Sequence, residues 1–220
     1  MEELNGRWLM EKSLSTGTDA MLKLQGIGWT LRKGISLATI RLEITVHPGT
    51  TSPSPSTIDV LATLTGGIAG NKETKILNWE PTDQNDYLMG LCEARSELVH
   101  GVPDEQGDIY PEFEMVSVVP DERARRYLRG EILDNGARAT WALANWKNEG
   151  KEGGEEGRGT WVHTVLRNKD VGWTVEQIWA VEVIEGKKYH TRRIVAANKG
   201  QYVLGKIMYS YIGEVSGAKQ

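Results

Sequence analysis

Three things are scarce in this chain of 220 residues: cysteine, net positive charge and long apolar runs. Cys92 is the only cysteine, so no intrachain disulfide can form. The 26 Lys and Arg residues are outnumbered by 30 Asp and Glu, which gives a formal net charge of −4. Because nucleic-acid binders usually carry a basic field, this balance predicts no nucleic-acid partner. No apolar run approaches the roughly 20 residues of a membrane span.

Signals for metals and nucleotides are missing as well. The pair Gly26-x-Gly28 follows a helical pattern rather than a strand, and it lacks the third glycine of a nucleotide loop. The single cysteine has no partner at zinc-finger distance. No metal-ligand spacing relates the four histidines, which are His47, His100, His163 and His190. We therefore predict a protein that uses neither a metal nor a cofactor.

The opening residues are acidic and lack the basic start and apolar stretch of a signal peptide, so we expect a cytoplasmic protein. Lys23, Arg32 and Lys33 fall in a segment with helical periodicity. They are either ordinary surface residues or transient contacts to an anionic membrane.

The aromatic residues are unusual in kind. Eight Trp and seven Tyr stand against a single Phe. Trp and Tyr combine a large apolar body with a polar group, which suits the wall of a half-wet cavity better than a dry core. This composition favours a protein that binds a hydrophobic small molecule.

Alternation of apolar and polar residues predicts most of the chain to be strands. Ile40, Leu42, Ile44 and Val46 share one face of a clean period of two, which is typical of a half-buried strand. Near the end, the turn sequences between successive strands are too short for parallel crossovers, so neighbouring strands pair antiparallel. The four strands predicted there are Thr160–Arg167, Trp173–Ile184, Lys187–Ala197 and Gln201–Ile212.

These patterns predict an all-β fold: an up-and-down antiparallel β-barrel of about nine to ten strands, with a short two-helix lid after the first strand. A two-sheet sandwich is the alternative. We predict one domain over residues 1–220, with the lid at 18–36, an insertion at 102–128 and a flexible Gly/Glu-rich loop at 148–159. The sequence leaves open whether the insertion covers the barrel mouth or pairs with another subunit in a homodimer.

The first 45 residues resemble the opening of intracellular fatty-acid-binding proteins. The matching residues are the Gly6-x-Trp8 strand, the lid motif Gly26-Ile-Gly28-Trp29 and the pair Arg32-Lys33. The family commonly holds a ligand carboxylate with Arg-x-Tyr on the last strand. Here that strand reads Lys206-Ile-Met-Tyr209-Ser-Tyr211, and this departure argues against fatty-acid carriage.

The whole chain resembles a group of fungal lipocalin-like proteins more closely. The shared motifs are Leu-Asn-Gly-x-Trp at 4–8, Leu-Gln-Gly-x-Gly-Trp at 24–29, Gly-Trp-Thr-x-x-Gln-x-Trp at 172–179 and Tyr-x-Tyr at 209–211. Some members of that group are cofactor-free cyclases of secondary metabolism, including hetero-Diels–Alder enzymes. The resemblance implies a lipophilic substrate and no cofactor.

The candidate site residues lie on the last strands. Gln177 is a polar side chain on an otherwise apolar face, where an amide needs a ligand, a water or a neighbouring strand as its partner. Trp179 shares that face. Either register of the strand 187–197 turns one basic group inward, His190 with Arg192 or else Arg193. As catalytic candidates we take Gln177, His163, Arg192 and Tyr209, and as ligand-binding candidates Trp29, Trp141, Trp179, His190 and Tyr211.

Two functions are consistent with the predicted barrel and its candidate site. One is an enzyme that catalyses a cyclisation or cycloaddition, with aromatic walls that orient the reactants and donors that polarise a carbonyl. The other is a carrier of a fatty acid or another hydrophobic metabolite, because the same fold serves both. The absent Arg-x-Tyr and the resemblance favour the enzyme.

Overall fold

Ten antiparallel strands follow one path around a strongly curled sheet in the computed structural model, which describes residues 1–49, 56–65, 70–86, 88–144 and 159–215. An eleventh strand pairs only with the sixth. The strands are β1 (Gly6–Met10), β2 (Ile40–His47), β3 (Thr57–Leu64), β4 (Lys72–Ile76), β5 (Thr82–Asp86), β6 (Gly90–Pro103), β7 (Ile109–Pro111), β8 (Thr160–Asn168), β9 (Thr174–Ile184), β10 (Lys187–Asn198) and β11 (Gln201–Gly213).

The strand order is β4-β3-β2-β1-β11-β10-β9-β8-β6-β5. Apart from β7, which lies off the path, and the pair β4 and β5, which form its two ends, each strand lies beside its neighbours in sequence. The first strand pairs with the last, so the connections are those of an up-and-down barrel. The order ends at β4 on one side and β5 on the other. The predicted fold class is confirmed, and the sandwich alternative is wrong.

Two helices follow the first strand, as the sequence predicts: α1 (Thr18–Leu24) and α2 (Trp29–Leu37). Gly17, with φ +74°, precedes α1 and lies so close to β11 that a Cβ there would come within 2.5 Å of the Leu204 carbonyl oxygen. The left-handed backbone and the close approach both favour glycine at this position. A third helix, α3 (Arg123–Arg129), lies between β7 and β8. Within the described ranges no helix is long and apolar enough to cross a membrane.

A long segment between β6 and β8 packs on the outside of the barrel wall. Its side chains form a core with the outer face of β6, β8, β9 and β10. The buried residues that the segment contributes are Tyr110, Phe113, Ala124, Tyr127, Leu128, Ile132, Trp141 and Leu143. The segment that sequence analysis describes as an insertion at 102–128 therefore covers an outer wall and gives β8–β10 two buried faces.

The sequence pattern also predicts a strand at 137–146, and that prediction is wrong for the described residues; one strand was missed. Residues 137–144 form only isolated bridges, Arg138 with Ile132 and Leu143 with Glu182, and 145–146 lie outside the described residues. Their apolar side chains pack against the outer wall rather than into the sheet. The missed strand, β5, consists wholly of polar residues and so shows no alternation. The loop predicted at 148–159 lies, except for Gly159, outside the described residues.

Candidate functional site

A cavity of about 310 Å³ lies between the inner face of the sheet and the two lid helices. Its volume falls at the lower end of the range for small-molecule sites. Most of its wall is apolar and comes from residues on the lid, on seven strands and in the loop before β6. These apolar residues are Met10, Met21, Leu22, Ile35, Ile40, Ala62, Leu64, Leu88, Met89, Leu166, Val175, Ile194 and Ile207.

Apart from Thr18 and Gln25 on the lid, the polar residues of the cavity gather on one side, where Gln177, Arg192 and Tyr209 from three adjacent strands meet Asn71 and Glu73. Strand pairing brings the first three together. The β9–β10 register sets Arg192 opposite Trp179, and the β10–β11 register sets Tyr209 opposite His190. The site therefore combines a broad apolar surface with one compact polar corner.

Arg192 is held by two contacts. Its Nε donates a hydrogen bond to His190 Nε2 at 2.8 Å, and its guanidinium carbon lies 3.8 Å from the centre of the Trp179 ring. Neither terminal nitrogen has a hydrogen-bond partner in the described part of the chain, and Nη2 is buried. Burial lowers the pKa of the guanidinium, but an arginine still carries its charge at neutral pH. The corner thus holds a cation with unused donors.

Gln177 presents its amide nitrogen in a similar way. The indole N–H of Trp179 donates to Gln177 Oε1 at 3.0 Å. Because an indole nitrogen only donates, this bond fixes which end of the amide is the oxygen. The Nε2 group has no partner among the described residues and belongs to a half-buried side chain on the cavity wall. Gln177 can therefore donate to a bound molecule.

Tyr209 supplies a third donor. Its ring stacks on His190 at 5.6 Å, and its hydroxyl makes no hydrogen bond to any residue that the structure describes. Burial raises the pKa of this phenol, so the hydroxyl keeps its proton at neutral pH. Glu73 is the carboxylate of the corner. The Lys75 ammonium at 2.8 Å holds the pKa of Glu73 below its usual range, so that negative charge is already paired.

A second cavity of about 270 Å³ adjoins the first beneath the lid. The two share the side chains of five residues: Met10, Thr18, Leu22, Ile35 and Ile40. On its far side this lid cavity is lined by Lys12 and by Arg32, whose Nε donates to Asp19 at 2.9 Å. Together the two cavities give room for a ligand longer than the first cavity alone would hold.

The sequence-predicted residues separate into three groups. Gln177, Arg192 and Tyr209 line the cavity together. Trp179, His190 and Tyr211 lie on the same side of the wall but behind the cavity surface, where Trp179 and His190 support Arg192 and Tyr211 packs edge-on against Trp8. The remaining three, Trp29, Trp141 and His163, do not contact the cavity. Of the two registers considered for β10, the one with His190 and Arg192 inside is the observed one.

Trp29 and Trp141 correct the prediction of where the cavity wall lies. Trp29 begins α2 with 65% of its surface exposed. Trp141 belongs to the outer core, where its indole N–H donates to the Arg129 carbonyl at 2.7 Å. The position of Trp141 follows from the outer segment that covers the sheet, which the sequence pattern did not reveal.

His163 lies on the outer face, between two carboxylates. Its Nδ1 is 2.9 Å from Glu97 Oε1, and its Nε2 is 2.9 Å from Glu176 Oε1. Glu176 also accepts hydrogen bonds from the backbone N–H groups of Val116 and Ser117. Burial by itself would lower the pKa of His163, but the bonds to the two carboxylates outweigh it and raise the pKa. This cluster fastens the outer segment to the wall and is separate from the cavity.

Sequence reasoning missed Asn71 and Glu73. The alternation of β4 places Glu73 on the inner side, but the strand is short and almost wholly polar, so no apolar face marks that side. No group of three or more His, Cys, Asp or Glu side chains in the described ranges is arranged to hold a metal ion.

Two distant fungal relatives are found among known proteins. No family model matches the chain. The probable pericyclase scpY of Mollisia scopiformis is 25% identical over 213 residues, covering 97% of this chain and 92% of that protein. Pericyclase pydY of an Acremonium species is 26% identical over 214 residues, covering 96% of this chain and 92% of that protein. The chain is thus a distant homologue of fungal pericyclases.

Solved structures agree on the fold. The Schistosoma mansoni fatty acid binding protein in complex with arachidonic acid superposes with a TM-score of 0.51 at 12% identity, over 97% of this chain and 98% of that one. Lipid binding protein 8 of Caenorhabditis elegans gives a TM-score of 0.50 at 13% identity, over 96% of this chain and 97% of that one. At these identities the likeness concerns the fold alone, which is that of fatty-acid-binding proteins.

Proposed function

We propose that this protein binds a lipophilic polyene in the barrel cavity and catalyses its cofactor-free cyclisation, a [4+2] cycloaddition of the hetero-Diels–Alder type, in fungal secondary metabolism. One observation carries the proposal: donors on Gln177, Arg192 and Tyr209 that have no partner among the described residues converge on one side of a largely apolar cavity. The distant homology to two pericyclases supports the reaction class.

Such a reaction asks little chemistry of a protein. In a [4+2] cycloaddition, two new σ bonds and one π bond replace three π bonds. No atom is gained or lost, so no oxidant, reductant or leaving group is involved. Holding the diene and its partner face to face can supply about 7–11 kcal/mol of the barrier in favourable cases. The apolar wall of the barrel and the lid residues Met21, Leu22 and Ile35 would fold the chain of the substrate into that geometry.

The polar corner would supply hydrogen bonds that stabilise the transition state. In a hetero-Diels–Alder reaction a carbonyl carbon and oxygen take part in the diene or its partner, and electron density grows on that oxygen in the transition state. N–H groups of Arg192 and the Tyr209 hydroxyl would donate to it, while Gln177 would hold a second acceptor. Removing a single donor of this kind typically slows a reaction by about 10²–10³-fold. Neither His163 nor Trp141 has a part in this chemistry, because both lie on the outer face.

The test is a reaction screen with matched variants. Purified protein is mixed with trienes and polyenes that carry an enone, and the mixtures are followed by mass spectrometry and chiral chromatography. We expect one stereoisomer to form faster than in buffer with the wild type, and at a much lower rate with Gln177→Leu, which keeps the side-chain size but removes the donor. Arg125→Gln, whose side chain on α3 is 44% exposed and lies away from the cavity, is the control. Equal rates with and without protein across the screen would contradict the proposal.

The second candidate function is that of a non-catalytic carrier, and one pair of cavity residues favours it. The last strand alone lacks the arginine–tyrosine pair, but Arg192 on β10 and Tyr209 on β11 form such a pair across two neighbouring strands. Such a pair can bind a carboxylate, and the fold is shared with fatty-acid-binding proteins. Tryptophan fluorescence titration with fatty acids separates the two functions: tight binding with every polyene recovered unchanged would favour the carrier.

A further inference from the structure

His190 points into the barrel beside the cavity and contacts Arg192 directly. The ring is fully buried and is enclosed by three aromatic side chains, with centroid distances of 5.7 Å to Trp8, 5.4 Å to Trp179 and 5.6 Å to Tyr209. Its two nitrogens have different partners: Arg192 Nε at 2.8 Å and the Ala180 carbonyl oxygen at 3.4 Å. The histidine is therefore fixed by rings on its faces and by hydrogen bonds at its edge.

These partners define the state of the imidazole. Arg192 Nε always carries a hydrogen, so His190 Nε2 must offer its lone pair to accept it. The remaining proton then sits on Nδ1, which points at the Ala180 carbonyl. Burial, together with the charge of Arg192, holds the pKa of His190 well below its usual value. The charged or titratable groups facing the ring are Arg192 on its own strand and Tyr209 on the neighbouring one.

A neutral histidine in this position directs the guanidinium. Once Nε is bound to His190 and the guanidinium plane rests on Trp179, the terminal nitrogens of Arg192 can turn only toward the polar corner of the cavity. Nη2 is buried without a partner in the described structure, which is costly for a charged donor, whereas the side chain as a whole is only half-buried and lines the cavity. A carboxylate in place of His190 would instead neutralise the charge that the cavity needs.

We propose that His190 is a positioning residue, which holds Arg192 oriented and fully charged so that its free N–H groups bind a carbonyl or carboxylate oxygen of the cavity ligand. The catalytic consequence rests on the proposed function, whereas the recognition of oxygen does not. The ligand class that follows is an apolar chain with an acceptor oxygen at one end.

The experiment compares two ligands of equal length, a polyene carboxylic acid and the corresponding hydrocarbon, by fluorescence titration and calorimetry. We expect wild type to prefer the acid, and His190→Phe, which keeps ring packing but offers no acceptor, to lose about tenfold of that preference with unchanged hydrocarbon affinity. His190→Gln, whose amide oxygen can accept from Arg192 Nε, should recover most of it. A role in packing alone would weaken both ligands equally and would not be rescued, and that result overturns the inference.

Two further results keep the outcomes separate. If wild type prefers the acid through His190 but no polyene is cyclised, the inference stands and the proposed reaction fails. Should His190→Phe not fold, nitrogen NMR of wild-type protein decides the matter: we expect a neutral Nδ1–H imidazole from pH 5 to 8. A protonated ring or an Nε2–H tautomer would overturn the inference.

Discussion

His190 and His163 are both fully buried in the same barrel wall, yet their surroundings drive their protonation in opposite directions. His190, on the inner face, accepts from the cation Arg192, and its pKa falls well below the usual value. His163, on the outer face, lies between Glu97 and Glu176, and its pKa rises. Burial disfavours the charged form at both positions, so the difference comes from the neighbours.

The surroundings of the two histidines also differ in how completely their polar groups are paired, although the outer face has unpaired buried atoms elsewhere, on Ser117, Trp161, Thr191 and Arg193. On the outer face both nitrogens of His163 are bonded, and Glu176 accepts from two backbone N–H groups as well. On the inner face, donors of Gln177, Arg192 and Tyr209 have no partner among the described residues. A saturated cluster stabilises the fold, whereas unused donors beside a cavity are suited to a ligand. We therefore assign structure to the His163 cluster on the outer face and chemistry to the polar corner on the inner one.

The largest effect on stability should come from the outer core. Trp161→Ala removes a buried ring that packs against Trp141 at 6.2 Å, and we expect it to lower the free energy of unfolding by about 3–5 kcal/mol. Urea unfolding measures this loss. At temperatures where the variant stays folded, ligand affinity should be close to that of the wild type. The inner variant Gln177→Leu should lose ligand affinity and keep its stability. If each of the two variants lost both affinity and stability, the distinction between the outer core and the cavity would be contradicted.

A smaller loss should follow when the outer cluster is weakened without a change of shape. Glu176→Gln removes the charge that His163 and two backbone N–H groups share, and we expect a cost of about 2–3 kcal/mol. Glu97→Gln is the matched control because its side chain is 32% exposed, so its loss should be smaller. Equal losses in the two variants would show that the position of the carboxylate does not matter.

The two histidines should shape opposite limbs of the stability–pH curve. Because folding raises the pKa of His163, its contribution is complete below the unfolded pKa and disappears as the pH rises through the folded value. Because folding lowers the pKa of His190, its contribution is present above the unfolded pKa and is lost as the pH falls through the folded value. We expect His163→Gln to flatten the alkaline limb and His190→Phe the acid limb. Unfolding free energies from pH 4 to 9 test both signs.

The smallest effect should come from a residue outside both clusters. Trp29→Ala changes an exposed side chain on the lid, so stability should shift by no more than about 0.5 kcal/mol. Ligand affinity should change less than twofold if the exposed position persists when a ligand is bound. A large loss of affinity would mean that the lid rearranges to bring Trp29 over the cavity, as the sequence-based expectation of a ligand contact requires.

The sequence predicts the barrel because turn residues and a period of two are local properties. It predicts Gln177 for the same reason, since one polar residue interrupts the apolar odd positions of β9. The faces of β8 and β10 are a different matter. A separate segment of the chain covers their outer side, so both faces are buried and neither apolar pattern stands out. His163 and His190 therefore could not be assigned to a face. Trp141 was predicted to contact the ligand, although it belongs to the outer core.

The most direct test is the paired measurement of stability and cyclisation in Arg192→Met. Among the described residues the polar corner contains one carboxylate, Glu73, which is already paired with Lys75. Replacing the buried cation by an apolar side chain of similar length removes a desolvation cost, which offsets the acceptor left unpaired on His190, so the melting temperature should change little. The same variant should cyclise a polyene enone at least about 100-fold more slowly than the wild type. A variant that keeps the wild-type rate would contradict the assignment of chemistry to the inner face.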